Sequence, residues 1–490
     1  MNIYLVVFIA YFAFVTFISV FTKKVASSSS AEYLIAGRNL GVLACAVVVA
    51  SEWLGGMSTI GVSEQAFETG TMQPVLYNFS TALGMIIIGF TVARHYRDNN
   101  VHTVSEMLEI LFGSRARAIS AIAFLIAYIV LAFVQLQSAA SVISAMFEFT
   151  RLQSILLAAL LITGYTYLGG MHALAITGII HVVVMFFGMG VATITGLIEI
   201  NGLDSLHSSL VEQGAPENLF NPFSASLGYA WSLILGGVLG GMAGQASIQP
   251  IFAARNAKTA RNAAVLSSLI IAPFGILVAL LGLMVKTGQF YDITASGPLF
   301  DPAIGDIDPR LVLPTLMTTP EFIHPVLGGI ALAGILAAIL STVGPVNFAV
   351  VTIATKDIYH GLINKKAVDQ RIIQTARRLV ILVNLIIIPL AYYGTGAILD
   401  TAYISYGIRA IGAIVIVLGI YKRGWIKIEG VRMAFLGGTI AVVINIIAKN
   451  MGLPVIENTY MAIGAAIVFI IIGNLTGKKQ PEKLPSREQE

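Results

Sequence analysis

Long apolar runs with few charged positions recur along the whole chain, and each is about as long as a membrane-spanning helix. A helix needs about 20 mostly apolar residues to cross the hydrocarbon core of a bilayer. We interpret the first run as a retained helix, because no signal-peptide cleavage pattern follows it. The pattern predicts an all-α integral membrane protein with about 13 transmembrane helices. These predicted spans are 2–22, 41–63, 73–93, 118–147, 153–168, 173–198, 228–250, 263–285, 324–355, 379–394, 398–420, 433–448 and 455–474.

Composition and charge agree with this pattern, since 57% of the 490 residues are hydrophobic and only 11% are charged. Most Lys and Arg residues fall in alternate connections between the predicted spans, and basic residues are retained on the cytoplasmic side of a membrane. We therefore expect a multi-pass protein of the cell (inner or plasma) membrane, with its N-terminus outside and its C-terminus cytoplasmic. The net charge of +4 follows from that topology, so no nucleic-acid partner is expected. The stretch 356–378 is interpreted as a basic amphipathic helix on the cytoplasmic membrane surface.

An acidic residue, Glu52, lies near the middle of the second predicted span, shortly before Gly55 and Gly56. At mid-membrane depth an acidic side chain costs roughly 2.5 to 3.5 kcal/mol, so such residues usually line a cavity, an ion path or a substrate site. The seventh span, five spans later, is also rich in glycine between Gly236 and Pro250. Glycine-interrupted spans at corresponding positions indicate a transporter built from inverted repeats, with its site at broken helices. Tight packing through small residues is the alternative for the seventh span.

The inverted repeats would consist of spans two to six and seven to eleven, which divides the chain into five regions. These are an extra N-terminal helix with a cytoplasmic linker (1–30), the first five-helix repeat (31–200), the second repeat with extracellular loops (201–425), two C-terminal helices (426–475) and a disordered cytoplasmic tail (476–490).

The ninth span carries three positions, Ala338, Ser341 and Thr342, that lie on one helical face because residues three and four apart are neighbours. A hard cation such as sodium prefers several oxygen ligands. Two hydroxyls and a helix carbonyl from this face, with backbone carbonyls freed near Glu52, would supply them. Taken alone, Ser and Thr in a membrane helix more often bond to their own backbone.

Four separated motifs then resemble the sodium:solute symporter family, over nearly the whole chain. They are the Gly-Gly signature at 166–173, the entry segment at 31–41, the ninth-span run ALAGILAAILSTVG at 331–344 with ATKDIY at 354–359, and the basic Tyr-Lys-Arg at 421–423. In motif the chain is nearest to the proline-permease and choline-transporter branches, without being assigned to either. The resemblance implies a leucine-transporter-type fold that works by alternating access.

The same resemblance implies a sodium site between the second and ninth spans. Its ligands would be the carbonyls of Ala50, Trp53 and Ala338 with the hydroxyls of Ser341 and Thr342. Glu52 takes the position of an Asp that proline-permease-like members need for sodium binding, which implies electrostatic support of the ion.

Two departures from the family limit this comparison. Gly178 stands where some relatives have an Asp that helps to bind a second sodium, so one sodium per cycle is expected. Trp53 matches one wall of the choline site, but Leu131 and Gly244 replace the other two tryptophans, so choline is not the expected solute.

Arg409, in the eleventh span, is the main clue to the solute, since a guanidinium presents a rigid fork suited to a carboxylate. It could instead neutralise Glu52 or extend toward the cytoplasmic face. Further candidates for solute contact or coupling are polar or small residues, each of which could equally serve helix packing. They are Gly55, Gln135, Ser138, Gln245, Gln249, Tyr403 and Tyr406.

These patterns predict a secondary active transporter, not an enzyme, that symports sodium with a small organic solute, a carboxylate or amino-acid-like compound. No cofactor is expected; sodium is the coupling ion, the bilayer and the solute are the partners, and a monomer is expected to suffice. One alternative is proton coupling through Glu52. Another is a symporter-like membrane sensor, although such sensors append a cytoplasmic signalling domain for which the tail is too short.

Overall fold

Helices form almost all the regular structure in the computed structural model, which describes residues 3–26, 39–99, 101–294, 296–394, 396–422 and 424–477. The helices of the first half are α1 Ile3–Ala26, α2 Val42–Trp53, a π-helix Met57–Gly61, α3 Val62–Thr69, a 3-10 turn Gln73–Val75, α4 Leu76–Phe90, α5 Ala93–Asp98, α6 Val104–Phe112, α7 Ser114–Phe147, α8 Arg151–Glu199 and α9 Gly202–Glu212.

The second half continues this helical architecture, with one short hairpin whose strands pair Phe300 with Ile307. Its elements are α10 Leu227–Met242, α11 Gln245–Phe252, α12 Ala257–Lys286, β1 Phe300–Asp301, β2 Asp306–Ile307, a 3-10 turn Pro309–Leu311, α13 Val312–Thr318, α14 Pro325–Thr352, a π-helix Ile353–Ile363, α15 Asp369–Tyr393, α16 Ile398–Tyr421, α17 Ile428–Asn450 and α18 Asn458–Thr476.

Nine helices in the described ranges are long and apolar enough to cross a membrane, or up to eleven when each bent pair counts as one span. Two shorter apolar stretches, Ile9–Ile18 and Arg151–Gly164, coincide with the first and fifth predicted spans. The all-helical, multi-pass architecture is confirmed, while the count of 13 stays a prediction. One boundary differs, because the 49 residues of α8 form one helix through the fifth and sixth predicted spans.

Two apolar helix pairs are broken and bent, as expected for the second and seventh spans. The α2 helix meets the helical segment Met57–Thr69 at 56°, and α10 meets α11 at 41°. The chain leaves the first helix at Leu54, whose N–H bonds to the Ala50 carbonyl at 3.0 Å. The glycines predicted to open these two spans therefore lie at or beside real breaks.

The central position of α14 explains why both breaks matter. This helix packs against α2 and α11, one from each bent pair, and also against α7 and α8. Its residues from Ala331 to Thr352 are all buried. A polar side chain on α14 therefore faces protein and not lipid, next to backbone that the breaks expose.

The predicted basic surface helix at 356–378 is wrong. Residues up to Ile363 extend α14 as a π-helix, a turn follows, and α15 begins at Asp369 and continues as a membrane-length helix. The basic residues from Arg371 to Arg378 thus lie in the first turns of this membrane-length helix and not on a separate surface helix.

Some sequence patterns fall outside the described residues. These are the entry segment up to Arg38, the basic residue Arg423, and the tail beyond Gly477. The side chains at 168–176, which include most of the Gly-Gly signature, are likewise not described.

Candidate functional site

A cluster of oxygen atoms lies where α14 meets the end of α2. The Ser341 hydroxyl donates to the carbonyls of Ser51 and Ala338, both at 2.7 Å. The Thr342 hydroxyl donates to the carbonyls of Ser51 at 3.1 Å and Glu52 at 2.8 Å. Two hydroxyls and three carbonyls from two helices thus meet in a buried place, where residues 338, 341 and 342 share one face of α14.

The carbonyls beside these hydroxyls belong to Ser51 and Glu52, whereas the predicted ligands include those of Ala50 and Trp53. Ala50 accepts the N–H of Leu54 at 3.0 Å, because α2 stays helical through Trp53. The Trp53 carbonyl accepts from the hydroxyls of two residues further along the chain, Ser58 at 2.8 Å and Tyr77 at 3.4 Å. The sodium ligand set therefore stays a prediction, with Ser51 and Glu52 added as neighbouring oxygens.

Gly55 and Gly56, which follow α2, pack closely against side chains of two different helices. A Cβ at Gly55 would lie 2.1 Å from the Thr342 hydroxyl oxygen, and a Cβ at Gly56 would lie 2.3 Å from that of Ser138. The N–H of Gly56 donates to the side-chain oxygen of Gln135 at 3.0 Å. The break is thus held between α14 and α7, and a side chain at either glycine would push these helices apart.

Glu52 is 2% exposed, and none of the described residues bonds to its Oε2 atom. No nitrogen of Arg409 lies within 4.0 Å of its carboxylate, so the two side chains form no direct ion pair, and neutralisation of Glu52 across the cavity stays a hypothesis. Each still lies within range of the other's charge. The site therefore contains a buried carboxylate oxygen that has no hydrogen-bond partner in the described part of the chain.

Arg409 is fully buried among aromatic rings. Its guanidinium lies 4.7 Å from the ring centre of Tyr406, 5.3 Å from that of Tyr128 and 5.7 Å from that of Trp53. Cation–π contacts of this kind stabilise a desolvated cation by about 2 kcal/mol. Zero exposure excludes the hypothesis that Arg409 extends toward the cytoplasmic face in this conformation.

The hydrogen bonding of Arg409 is incomplete. Its Nε donates to the Gly240 carbonyl at 2.8 Å, but Nη1 and Nη2 have no acceptor among the described residues. A Cβ at Gly244 would lie 2.3 Å from Nη2, so only glycine leaves room there. A buried polar group without a partner costs about 1 to 3 kcal/mol, and more when it is charged. Nη1 and Nη2 are therefore the side of the guanidinium fork that could bind an acceptor.

Three tyrosines, Tyr77, Tyr403 and Tyr406, form a cluster beside Arg409. The hydroxyls of Tyr77 and Tyr406 bond to each other at 2.9 Å, and Tyr403 donates to the Leu233 carbonyl at 2.9 Å. Tyr77 stacks on Tyr406 with the two rings nearly parallel. Sequence reasoning proposed Tyr403 and Tyr406 but missed Tyr77 and Tyr128. Of these two, only Tyr128 could have been found from the sequence, because it lies seven residues before Gln135 and hence on the same face of α7.

Three of the proposed solute contacts are engaged elsewhere. Gln245 bonds through both side-chain atoms to backbone, accepting from Val104 N–H at 2.8 Å and donating to the His102 carbonyl at 2.9 Å. Gln249 donates to the Thr352 hydroxyl at 3.4 Å. Ser138 donates to the carbonyl four residues earlier in its own helix. In this conformation Gln245 and Gln249 join α11 to neighbouring parts of the fold, whereas Ser138 bonds within α7.

An ion network lies on the face that we predict to be cytoplasmic, and sequence reasoning missed it. Arg117 contacts the carboxylates of Asp357 at 2.9 Å, Glu106 at 3.0 Å and Glu109 at 2.8 Å. Burial alone would raise the pKa of Glu106, but the hydrogen bonds and charge of His102 and the charge of Arg117 lower it from 4.5 to about 2. The network joins α6 and α7 to the π-helical end of α14.

Comparison with known proteins identifies relatives along most of the chain. The model of the Sodium:solute symporter family matches residues 33–441. Sodium/proline symporter 2 of Staphylococcus saprophyticus is 24% identical over 90% of this chain and 86% of that protein. The sodium/proline symporter of Staphylococcus aureus is also 24% identical, over 96% of this chain and 92% of that protein.

Among solved structures, the substrate-bound outward-open state of a sodium-coupled sialic acid symporter superimposes with a TM-score of 0.79, at 16% identity. The match covers 97% of this chain and 98% of that one. This likeness shows a shared fold, of the leucine-transporter type.

Proposed function

The chain belongs to the sodium:solute symporter family, and from that premise we propose that it couples sodium movement to the uptake of a small organic solute that carries a carboxylate. It is a membrane transporter and not an enzyme. The two relatives above are named for sodium and proline. Proline carries a carboxylate group, so those names agree with the proposed class of solute without identifying the compound.

The unpaired fork of Arg409 is the observation that carries the solute proposal. Two buried guanidinium nitrogens without acceptors are costly, and a planar carboxylate can accept from both at once. The surrounding rings exclude water and strengthen that interaction, since charges attract more strongly at low dielectric. Trp53 Nε1 and Gln135 Nε2 are also buried without a partner among the described residues. They supply further donors on the walls of the same region.

The oxygen cluster between α2 and α14 supports the proposed sodium site. Five oxygens, from Ser51, Glu52, Ala338, Ser341 and Thr342, meet without any formal charge among them. Several oxygen ligands are what a hard cation requires. The buried Glu52 carboxylate would then stabilise the ion electrostatically. Two other roles are considered for Glu52, which are charge pairing with Arg409 and exchange of a proton.

The two bent helix pairs support a transport cycle by alternating access. In transporters with inverted repeats the site lies at discontinuous helices, and here α2 breaks beside the oxygen cluster while α10 breaks beside Arg409. We propose the repeats at 31–200 and 201–425, the N-terminus outside the cell membrane, one sodium per cycle, and a functional monomer. Sodium would stabilise one arrangement of the bundle and so favour solute binding to it.

The sodium site is tested by thermal unfolding of the purified protein in sodium chloride against potassium chloride. We expect sodium to stabilise the wild type, and Ser341→Ala with Thr342→Ala to lose that stabilisation because two of the five oxygens disappear. The matched control is Ser267→Ala with Ser268→Ala, since both hydroxyls are buried and bond at 2.7 Å to carbonyls of their own helix. Sodium stabilisation that persists in the first double variant would refute the site.

Proton coupling through Glu52 is the second candidate, favoured by a buried carboxylate oxygen to which no described residue bonds. Uptake into proteoliposomes at fixed pH, with potassium in place of sodium, separates the two. Full uptake without sodium, abolished by Glu52→Gln, would favour the proton. A sensor would instead bind solute and show no uptake under either condition.

A further inference from the structure

A polar stripe lies on the first two turns of α15, on the face that we predict to be cytoplasmic. Its members, Arg371, Gln374, Thr375 and Arg378, are spaced by three, four and seven residues and therefore share one side of the helix. Together with Tyr359, from the π-helix that extends α14, they line a cavity of about 630 Å³. Cavities of roughly 300 to 1,000 Å³ are typical of ligand sites.

The described charged side chains that line this cavity are both positive. Both arginines are exposed, and neither has a carboxylate oxygen within 4.0 Å among the described side chains. The described side chains of the lining include no carboxylate, and the remaining polar groups are amides and hydroxyls. Such a lining recognises an anion with several acceptor oxygens, of which a phosphate group is the common biological example.

The same face of α15 becomes apolar directly beyond the stripe. Ile381, Leu382 and Leu385 follow Arg378 by three, four and seven residues and are 44%, 50% and 59% exposed. At 1.5 Å of rise per residue, the last of them lies about 10 Å further along the helix. One side of α15 is thus basic and polar in its first two turns and apolar in the next two, where we expect it to face lipid.

Two large apolar side chains are exposed close to the cavity in the sequence. Ile363 and Val368, which flank the turn between the π-helix and α15, are 72% and 68% exposed. Exposed side chains of this size beside a basic stripe are typical of segments that lie at the boundary between headgroups and acyl chains. A soluble phosphate compound would use the arginines but would leave these apolar surfaces without a partner.

We propose that this cavity binds the phosphate headgroup of an anionic phospholipid, with an acyl chain along Ile381 to Leu385. The headgroup would contact Tyr359 on one side and the arginines on the other, and so connect the end of α14 to the start of α15. Because α14 also carries Ser341 and Thr342, the bound lipid would favour the conformation in which its end and α15 lie together. This site is separate from the sodium and solute sites and does not depend on their assignment.

The test uses the purified full-length protein in neutral detergent, titrated with short-chain phosphatidylglycerol, phosphatidylcholine or inorganic phosphate while thermal unfolding is followed. We expect phosphatidylglycerol alone to raise the unfolding midpoint. In Arg371→Gln with Arg378→Gln the half-saturating concentration should rise at least tenfold, since each arginine contributes about fivefold near an anionic headgroup. The matched control is Lys258→Gln with Arg261→Gln, which removes two exposed charges on the same predicted face but outside the cavity.

The outcomes separate the lipid from its alternatives. Equal responses of the two double variants would overturn the site, and equal stabilisation by inorganic phosphate would assign the cavity to a soluble anion and overturn the lipid. Arg371→Lys with Arg378→Lys should keep most of the response, because it keeps the charge. If the double Gln variant does not fold, the single variants Arg371→Gln and Arg378→Gln are titrated in the same way, and an unchanged half-saturating concentration in both would overturn the proposal.

Discussion

Replacing Arg409 by Lys tests the solute site most directly, because the change keeps the positive charge and removes the fork. A hydrogen bond to a charged group contributes about 1.5 to 3 kcal/mol. An ammonium reaches a carboxylate as a point charge, so Arg409→Lys would lose about one of the two bonds that Nη1 and Nη2 can make, or about 2 kcal/mol. We expect the solute Kd to rise about 30-fold.

The assay begins with thermal unfolding of the wild type against a panel of small carboxylates and amino acids, run in sodium and in potassium. The compound that stabilises most in sodium is then titrated against each variant, beside its methyl ester. Arg310→Lys is the matched control, since Arg310 is also buried but already bonds through two nitrogens to Asp308, at 2.6 and 2.7 Å. That control is expected to lower stability without changing solute affinity.

Two results would refute this reasoning. One is an unchanged Kd in Arg409→Lys, and the other is equal binding of the ester, which lacks the carboxylate charge. A third variant separates solute binding from simple neutralisation of Glu52. If neutralisation is the role of Arg409, Arg409→Met with Glu52→Gln will bind solute as the wild type does; if Arg409 holds the carboxylate, binding stays lost.

Three further predictions concern stability, each measured by thermal unfolding. Gly55→Ala would place a Cβ 2.1 Å from a threonine oxygen of α14 and should cost about 1 to 3 kcal/mol, whereas Gly164→Ala, with nothing within 4 Å, should be neutral or slightly stabilising. Arg117→Met leaves the buried Asp357 uncompensated and should cost about 3 to 5 kcal/mol, part of which Asp357→Asn restores. The pKa of Glu106, lowered from 4.5 to about 2, means that its contribution, about 3 kcal/mol, is present above pH 4.5 and lost as the pH falls toward 2. The variant Glu106→Gln should not show this loss of stability at low pH, because its side chain does not titrate.

The helical membrane architecture could be predicted because it depends on local pattern. Apolar runs of span length identify helices wherever the solvent is lipid, and the glycines near Glu52 and Gly244 indicated where two of them break. The spacing of Ser341 and Thr342 likewise placed both hydroxyls on one face of α14. Each of these inferences needs only residues that are close together in the sequence.

What could not be predicted depends on partners distant in the sequence. Gln245 looked like a solute contact because an amide in a membrane span needs a partner, but the sequence does not show that the backbone at His102 and Val104 provides it. Arg117 and Asp357 looked like separate charges at the ends of helices, although 240 positions apart they form one buried pair. The carbonyls nearest the hydroxyls differ from the predicted ones because helix α2 unwinds after Trp53, and that point is set by packing.

Three consecutive residues connect the proposed ion site to the proposed solute site. The carbonyls of Ser51 and Glu52 accept from the hydroxyls on α14, and the next residue, Trp53, places its ring against the Arg409 guanidinium. An ion that fixes those two carbonyls would also fix the ring that forms one wall around Arg409, because a single residue of backbone separates them. Binding at either site would then lower the cost of ordering the other, and such coupling is necessarily reciprocal. Because α2 ends at Trp53, a shift of these three residues would not have to carry the helical segment Met57–Thr69 with it, as it would in a continuous helix.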